Sequence, residues 1–595
     1  MWSAALILVL TLREIYSLDG TARAQTCVGE WCCEKGKCLR NYDVPDGAYN
    51  STLEEKYFEV CRLTCGKFST VWPKPTRNIA LSHRAVAIDP TKVSFDFEGV
   101  AWGQEARDFA AKCADVFKAN LKKEYESEWR STGAKPLAVS LNTITPDTVL
   151  DLDTDESYLL EISTSEDVVV VTINSSTLYG ARHGLETLSQ LVASYWEEDG
   201  RHWVALSAAK ISDSPVYRYR GLLIDTARNY ITLEAIRRTI DAMAASKLNV
   251  LHWHVTDSHS FPLVSPSVPE LSRYGAYSPK EIYSPQDVKD LIEYSKYRGV
   301  RIILEIDTPS HSGYGWQWGD RKGLGDLAVC VNQQPFRQYC YQAPCGQLNP
   351  VNQNVYAILH NLYLDIHNMF DDIELFHMGG DEVSIPCWNT SSEITAWMES
   401  HNMNRDSFGF LKLWGRFQTK ALAEWDEAAG HSNTKIILWS SLLTSADYIT
   451  QFLDNKRYII ETWVDQDDIL PHVLLEKGYE LIVATKDAWY LDHGFWGKTT
   501  YHNWMVAYDN KLPPGKGVLG GEVALWGELV ADGNLDGRMW PRGAAAAERL
   551  WADPASAPAA AHARLIDHSR RMNRRGIRSS TIAPRWCYQN EAQCD

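Results

Sequence analysis

From Tyr217 onward, short apolar runs alternate with stretches whose apolar residues recur at helical spacing. Eight runs read as strands: YRGLLIDTA, LNVLHWHVTD, VRIILEIDT, IELFHMGGDE, TKIILWSS, RYIIETWV, YELIVAT and GGEVALWGE. Between them lie helical patterns such as Leu233–Lys247, Pro285–Arg298 and Val355–Met369. Strands that alternate with helices build a parallel sheet, and eight such units predict a closed (β/α)8 TIM barrel, an α/β fold. The polar and aromatic residues gather at the C-terminal ends of the runs: Arg228, Asp257, Asp307, Asp381-Glu382, Trp439, Trp463 and Trp526-x-Glu528. That is where barrels of this kind place their active sites.

Upstream, the texture differs. Residues 76–215 mix strand-like SEDVVVVTINS with a helical pattern from Leu178 through Ala193, which predicts a smaller α/β accessory domain before a catalytic unit of residues 216–595 with its C-terminal tail. Residues 25–75 form a Cys-rich, loop-like segment that ends in Val71-Trp72-Pro73-Lys74-Pro75. The apolar stretch Ala4–Leu12 is too short for a membrane helix and reads, with Ala22-Arg23-Ala24 as cleavage site, as a signal peptide of residues 1–24. No later stretch is apolar enough to span a membrane. Thirteen cysteines fit an oxidising compartment, outside the cell or in the lysosomal lumen. Six are early, six late, and Cys113 stands alone in helix-like AAKCADVF, the expected unpaired and buried thiol. Cys32-Cys33-x4-Cys38 has no accompanying His, so disulfides are expected there rather than a metal knuckle. Sequons at Asn50, Asn174 and Asn389 fit secretion.

The chain of 595 residues has a formal charge of −17 and no basic cluster, which argues against a nucleic-acid partner. It holds 23 Trp and 28 Tyr against 15 Phe, so most aromatic faces come with a polar handle, as a sugar site needs. The sharpest local signal is HMGGDEV, His377–Val383. Neighbours on a strand point to opposite sides, so Asp381 and Glu382 are not expected to flank one glycosidic bond as an opposed carboxylate pair. A sugar bearing its own nucleophile resolves this. The carbonyl of a 2-acetamido group attacks the anomeric carbon, Glu382 protonates the leaving oxygen, and ionised Asp381 holds the acetamido N–H while an oxazolinium ion forms. The dipeptide alone is also readable as a helix cap. Trp439, Trp463 and Trp526, each ending a different strand, favour the sugar, and Tyr490-Leu491-Asp492 offers a phenol donor for the acetamido oxygen beside a carboxylate.

RGLLIDTARNY, HWHVTDSHSFP, EIDTPSHSG, HMGGDEV, ILWS, ETWV, WYLD and ALWGE together resemble the β-N-acetylhexosaminidases of glycoside hydrolase family 20, over about residues 80–590. The early cysteines and CGQLNP resemble arthropod members. The resemblance implies that Arg220 binds sugar hydroxyls, that Asp257 and His311 form a relay behind the acid/base Glu382, and that Asp381 with Tyr490 orients the acetamido group. It further implies that Trp439, Trp463 and Trp526 wall the pocket while Asp492 and Glu528 hold ring hydroxyls. Exo action with retention, no metal or organic cofactor, and a homodimer follow from the same resemblance. The long connection between Thr308 and Pro350 is expected to face the leaving sugar with Trp316 and Trp318, joined by Trp496 and Trp504. Tyr341-Gln342-Ala343 stand where chitinolytic insect members have an apolar residue followed by Glu, which leaves both chitooligosaccharides and N-glycans as expected substrates.

Two readings from other classes compete. His252-x-His254 on the second strand suggests a zinc amidohydrolase, because alternate strand residues share a face. A barrel that binds sugar without catalysis is the other.

Overall fold

The computed structural model describes residues 27, 29–42, 44, 51–100, 103–124, 134–370, 373–591 and 594. The expected signal peptide and the sequon at Asn50 lie outside these residues.

All eight apolar runs form strands of one closed parallel barrel: β1 (Tyr219–Asp225), β2 (Val250–Thr256), β3 (Arg301–Ile306), β4 (Leu375–His377), β5 (Lys435–Trp439), β6 (Tyr458–Thr462), β7 (Glu480–Val483) and β8 (Val518–Leu525). β8 pairs with β1 and closes the ring. The predicted helices appear at Leu233–Ser246, Pro285–Lys296 and Gln353–Met369. Side-chain caps start them: Thr232, Ser284 and Asn352 each accept a backbone N–H of the first turn.

The barrel interior is layered. At its N-terminal end every strand contributes one residue to an apolar base, from Tyr219 and Val250 to Ile482 and Leu519, and Leu152 of the upstream domain packs into it. Above that base the filling turns ionic: His252, His254, Glu305, His377, Glu461 and Glu522 are all buried. The C-terminal end is closed by Leu223, Trp439, Ala484, Tyr490 and Ala524, with Trp463 and Trp526 against them.

The upstream sheet has eight strands, in the order Ile79–Leu81, Ala209–Asp213, Tyr158–Thr164, Val169–Ser175, Lys135–Thr143, Ala85–Asp96, Gly200–Leu206 and Val192–Glu197. Helix Leu178–Gln190 is buried along its whole length. It stops short of the predicted Ala193 because Val192–Glu197 turns into a strand paired with Gly200–Leu206. The Cys-rich segment is more than loop: it folds into a hairpin, Trp31–Glu34 with Lys37–Arg40, followed by helices Leu53–Lys56 and Phe58–Thr64. Bonds Cys27–Cys32, Cys33–Cys65 and Cys38–Cys61 pin it, so those thiols are not metal ligands. Its Arg62 reaches Asp567 and Glu591 of the C-terminal tail, which is therefore docked rather than loose. The late cysteines pair as Cys330–Cys387, Cys340–Cys345 and Cys587–Cys594. Cys113 is free and buried, and burial pushes its thiol up to about 12.

Arg220 departs from expectation. It is the second residue of β1, at the N-terminal end of the barrel, fully buried. Its guanidinium pairs with Glu156 of the upstream domain at 2.6 and 2.8 Å, donates to Lys247 O, and lies 5.0 Å from the Trp551 ring. Strand geometry sets this, since side chains at the two ends of a parallel barrel cannot reach the same face. Arg220 clamps the two domains and does not touch the C-terminal face. Arg220→Ala should therefore cost about 3–5 kcal/mol of stability by leaving the buried Glu156 carboxylate without its arginine, held only by His183 and Asn249. Urea denaturation reads that loss, and KM per folded molecule should stay unchanged.

Candidate active site

β4 is shorter than its apolar run because Gly379 and Gly380 adopt left-handed backbone, with φ of +68° and +87°. A Cβ on Gly379 would lie 1.8 Å from Asp307 Oδ1, so only glycine lets the turn pass under β3. Asp381 and Glu382 thus stand on a turn, not on the strand, and strand alternation does not apply to them. Glu382 (φ +49°) and His311 (φ +52°) are both non-glycine residues in the left-handed region, and they face each other. Such backbone is costly and gathers at functional sites.

His311 joins the two carboxylates. Its Nε2 lies 3.6 Å from Asp381 Oδ2 and 3.4 Å from Glu382 Oε2, so both acids converge on one imidazole. Nδ1 of the same ring lies 3.1 Å from Asp257 Oδ2. Asp257 also meets Arg228 Nη2 at 2.9 Å, His254 Nε2 at 3.2 Å and His259 Nδ1 at 2.9 Å. Burial alone would neutralise these groups. Against it, Arg228 and His311 hold Asp257 well below the usual carboxylate range, and Asp257, Asp381 and Asp307 hold His311 well above the usual imidazole range. Burial likewise opposes the Asp381 charge, but the His311 imidazolium outweighs it and keeps that carboxyl low. Asp307 goes the other way: burial and Asp381 push it well up, and it accepts Gly380 N–H at 3.1 Å. The site thus favours charge on Asp257, Asp381 and His311 and disfavours it on Asp307.

Aromatic rings bound the pocket. Trp439 and Trp526 stand 5.8 Å apart, and Tyr490 is 6.3 Å from Trp526. Trp439 Nε1 donates to Glu305 Oε1 and Trp463 Nε1 to Ser440 O, which fixes both indole planes. Burial and Asp492 hold the Tyr490 phenol well up, so it stays a donor. On the other side, Arg228 stacks 5.0 Å from the Trp526 ring and donates to Gln342 Oε1 at 3.1 Å, while Gln342 Nε2 donates to Glu528 Oε1 at 2.8 Å. Asp492 Oδ2 accepts Trp496 Nε1 at 2.8 Å, and burial pushes Asp492 up to about 7, with Glu528 adding to it. Asp381 Oδ1, Asp492 Oδ1 and Glu528 Oε2 are buried acceptors with no hydrogen-bond partner. Buried acceptors are rarely left so, and three at one face fit a ligand rich in O–H and N–H donors.

The structure gathers Asp257, His311, Asp381, Glu382, Trp439, Trp463, Tyr490, Asp492, Trp526 and Glu528, with Trp496 at the rim 39% exposed. It does not bring Trp316, Trp318 or Trp504 to the surface. The first two are buried in the barrel core, where Trp318 Nε1 donates to Gly315 O, and Trp504 stacks on His562 at 5.7 Å. A long loop with a core of its own uses its indoles for packing, so they offer no face to a leaving sugar. Of the other sequons, Asn389 is exposed and bonded to Arg405, and Asn174 lies in a strand and accepts from Asn142. Arg228, His254, Asp307 and Gln342 complete the site without having been assigned roles. Position after β1 was the signal for Arg228, since an arginine beyond a strand's C-terminal end reaches this face and one at its start does not.

His252 and His254 both point into the barrel. His252 lies 2.8 Å from Glu522 Oε1 and 2.9 Å from Glu305 Oε2, and His254 lies 2.6 Å from Glu305 Oε2 and 3.2 Å from Asp257 Oδ2. Carboxylates hold both imidazoles above their usual range, His254 at about 10.

Residues 217–554 match the glycosyl hydrolase family 20 catalytic domain, and residues 71–191 match a beta-acetyl hexosaminidase like domain. The chain belongs to glycoside hydrolase family 20. It is 39% identical to the chitooligosaccharidolytic beta-N-acetylglucosaminidase of Bombyx mori and 38% to that of Ostrinia furnacalis, over all of this chain and all of each relative. The probable beta-hexosaminidase fdl of Drosophila melanogaster is 33% identical, covering 94% of this chain and 90% of its own. The fold is shared with a Flavobacterium johnsoniae chitobiase, at TM-score 0.67 and 23% identity over 85% of this chain and 73% of that one. As a family 20 glycoside hydrolase the chain is an enzyme, not a sugar-binding barrel without catalysis. Among the described residues no helix is long and apolar enough to cross a membrane.

Proposed function

We propose that this family 20 enzyme is an exo-acting, retaining β-N-acetylhexosaminidase that removes terminal GlcNAc from chitooligosaccharides by substrate-assisted catalysis. The observation that carries the reading is the convergence of Asp381 and Glu382 on the His311 imidazolium, with Asp381 Oδ1 buried and unpartnered. Asp381 is ionised and accepts the acetamido N–H. That hydrogen bond turns the carbonyl oxygen toward the anomeric carbon and spreads the positive charge of the oxazolinium ion onto the carboxylate. Tyr490 donates to the same carbonyl oxygen, and Trp439, Trp463 and Trp526 confine the acetyl methyl and the sugar face.

Glu382 protonates the leaving oxygen and then takes the proton of the incoming water, which opens the oxazolinium ring from the face the leaving group left and so retains configuration. Its side chain is 27% exposed against 15% for Asp381, in keeping with a group that faces the leaving sugar and water. Arg228, Asp492 and Glu528 hold ring hydroxyls. Gln342, set between Arg228 and Glu528, and exposed Tyr341 border the leaving side.

The names of the two insect relatives, which match over full length, favour chitooligosaccharides over N-glycans. The early apolar segment and the disulfides support secretion. Chitotriose labelled at its reducing end tests the reading: unlabelled GlcNAc should be released first. Release of labelled monosaccharide first, or faster cleavage of a GlcNAc-terminated biantennary glycan than of chitotriose, would overturn the exo or the substrate assignment respectively.

Two expectations follow for the hydroxyl grip. Arg228→Ala should raise KM about 10-fold or more by deleting charge-assisted hydrogen bonds, and, unlike Arg220→Ala, should lower activity per folded molecule as well as stability, because it also leaves buried Asp225 and Asp257 without their arginine. With Asp492 at about 7, its carboxyl gains a proton as pH falls through that value and its hydrogen bonds to hydroxyls weaken. Activity, as kcat/KM, should therefore decline on the acid side of about pH 7, and Asp492→Asn should lower kcat/KM at all pH and abolish that limb. An unchanged limb in Asp492→Asn would assign it elsewhere.

A further inference from the structure

Below the pocket the barrel is filled with ionic groups, although branched aliphatic residues are the usual filling. Buried ion sets stabilise a fold no better than hydrocarbon of equal volume, so this one calls for a functional reason. Its hub is Glu305 of β3, fully buried. One oxygen, Oε2, lies 2.6 Å from His254 Nδ1 and 2.9 Å from His252 Nε2. The other, Oε1, accepts Trp439 Nε1 at 2.8 Å and lies 3.3 Å from His377 Nδ1. A single carboxylate thus hydrogen-bonds side chains of β2 and β5 and lies against one of β4.

Two of those contacts lead straight to the chemistry. His254 continues through Asp257 Oδ2 to His311 and from there to Asp381 and Glu382. Trp439 is the indole at the floor of the acetamido pocket. We propose that Glu305 is a positioning residue for both halves of the reaction, holding the imidazole chain behind the acid/base and the indole that confines the acetamido group. The proposal rests on the substrate-assisted reading above.

The groups around Glu305 are His252 and His254 from β2, His377 from β4, Glu461 from β6, Glu522 from β8, and Asp307 beyond its own strand. Burial disfavours the Glu305 charge, but the three imidazoles hold it well below the usual carboxylate range. Glu305→Gln keeps the size and an acceptor for Trp439 and removes the negative charge. His254, and through it His311, then lose their protons at lower pH.

With an aryl β-N-acetylglucosaminide, Glu305→Gln should lower kcat about 10- to 100-fold with little change in KM, as small misplacements at a reacting centre do. The alkaline limb of kcat/KM should move down by about one pH unit. Trp439→Phe, which removes the indole N–H donor and part of the ring but no charge, should lower kcat and leave that limb in place. If Glu305→Gln does not fold, Trp439→Phe and His254→Asn carry the test, with the limb moving only in the latter. A folded Glu305→Gln with wild-type kcat and pH profile would overturn the proposal, as would, for the second pair, a limb that moves equally in both. Wild type and Glu382→Gln run alongside on chitobiose: turnover in the first and its loss in the second sustain the underlying reading, so a failure confined to Glu305 is distinguishable from a failure of the whole.

Discussion

Glu382→Gln is expected to lower kcat on chitobiose by about 10²- to 10⁴-fold, the range attributed to general acid–base catalysis. KM should change little, because the amide keeps the shape of the carboxyl and makes none of the hydroxyl contacts assigned to Arg228, Asp492 and Glu528. The loss should shrink with a leaving group that needs no proton. A 4-nitrophenyl glycoside loses its aglycone as the 4-nitrophenolate anion, so its oxazolinium forms without the acid, and only the water step still needs Glu382 as base. Steady-state rates on both substrates read the contrast. Equal losses on the two would remove Glu382 from the role of acid, since a structural defect would not distinguish leaving groups.

The second large effect concerns the neighbouring residue. Asp381→Asn should cost about 10²- to 10³-fold in kcat, comparable to removing one preorganised group that stabilises charge in a transition state. Two losses combine. The amide no longer offsets the positive charge of the oxazolinium ion, and the His311 imidazolium loses its partner at 3.6 Å. In contrast to Glu382→Gln, the loss should be as large for a 4-nitrophenyl glycoside as for chitobiose, because ring closure and departure of the leaving group are one step and the positive charge that Asp381 offsets develops whichever group leaves. Full activity of Asp381→Asn on either substrate would refute the orienting role.

Periodicity carried the fold far. All eight apolar runs became barrel strands because a buried parallel strand needs a short, continuous apolar stretch. What periodicity could not reveal was local. β4 stops at His377 because two glycines take left-handed backbone, and that turn, rather than strand alternation, brings Asp381 and Glu382 to the same imidazole. The site residues at strand ends were legible because end position alone predicts the face they reach. Arg220 was misplaced for the same reason in reverse: its motif was familiar, but it begins β1, and the guanidinium at the pocket belongs to Arg228, eight positions on. The indoles of Trp316, Trp318 and Trp504 misled because composition cannot separate a stacking face from a packed core. Glu305 was hidden inside a strand, where its role depends on partners from three other strands that only the closed barrel assembles.

The central claim is that the nucleophile is the sugar's own acetamido oxygen. Aryl β-glycosides whose 2-acetamido methyl carries zero to three fluorines test it most directly, since each fluorine weakens the carbonyl as a nucleophile and leaves the rest of the sugar intact. The account predicts a steep fall in kcat/KM across the series. A flat series would mean that a side chain or water attacks instead, and would contradict it.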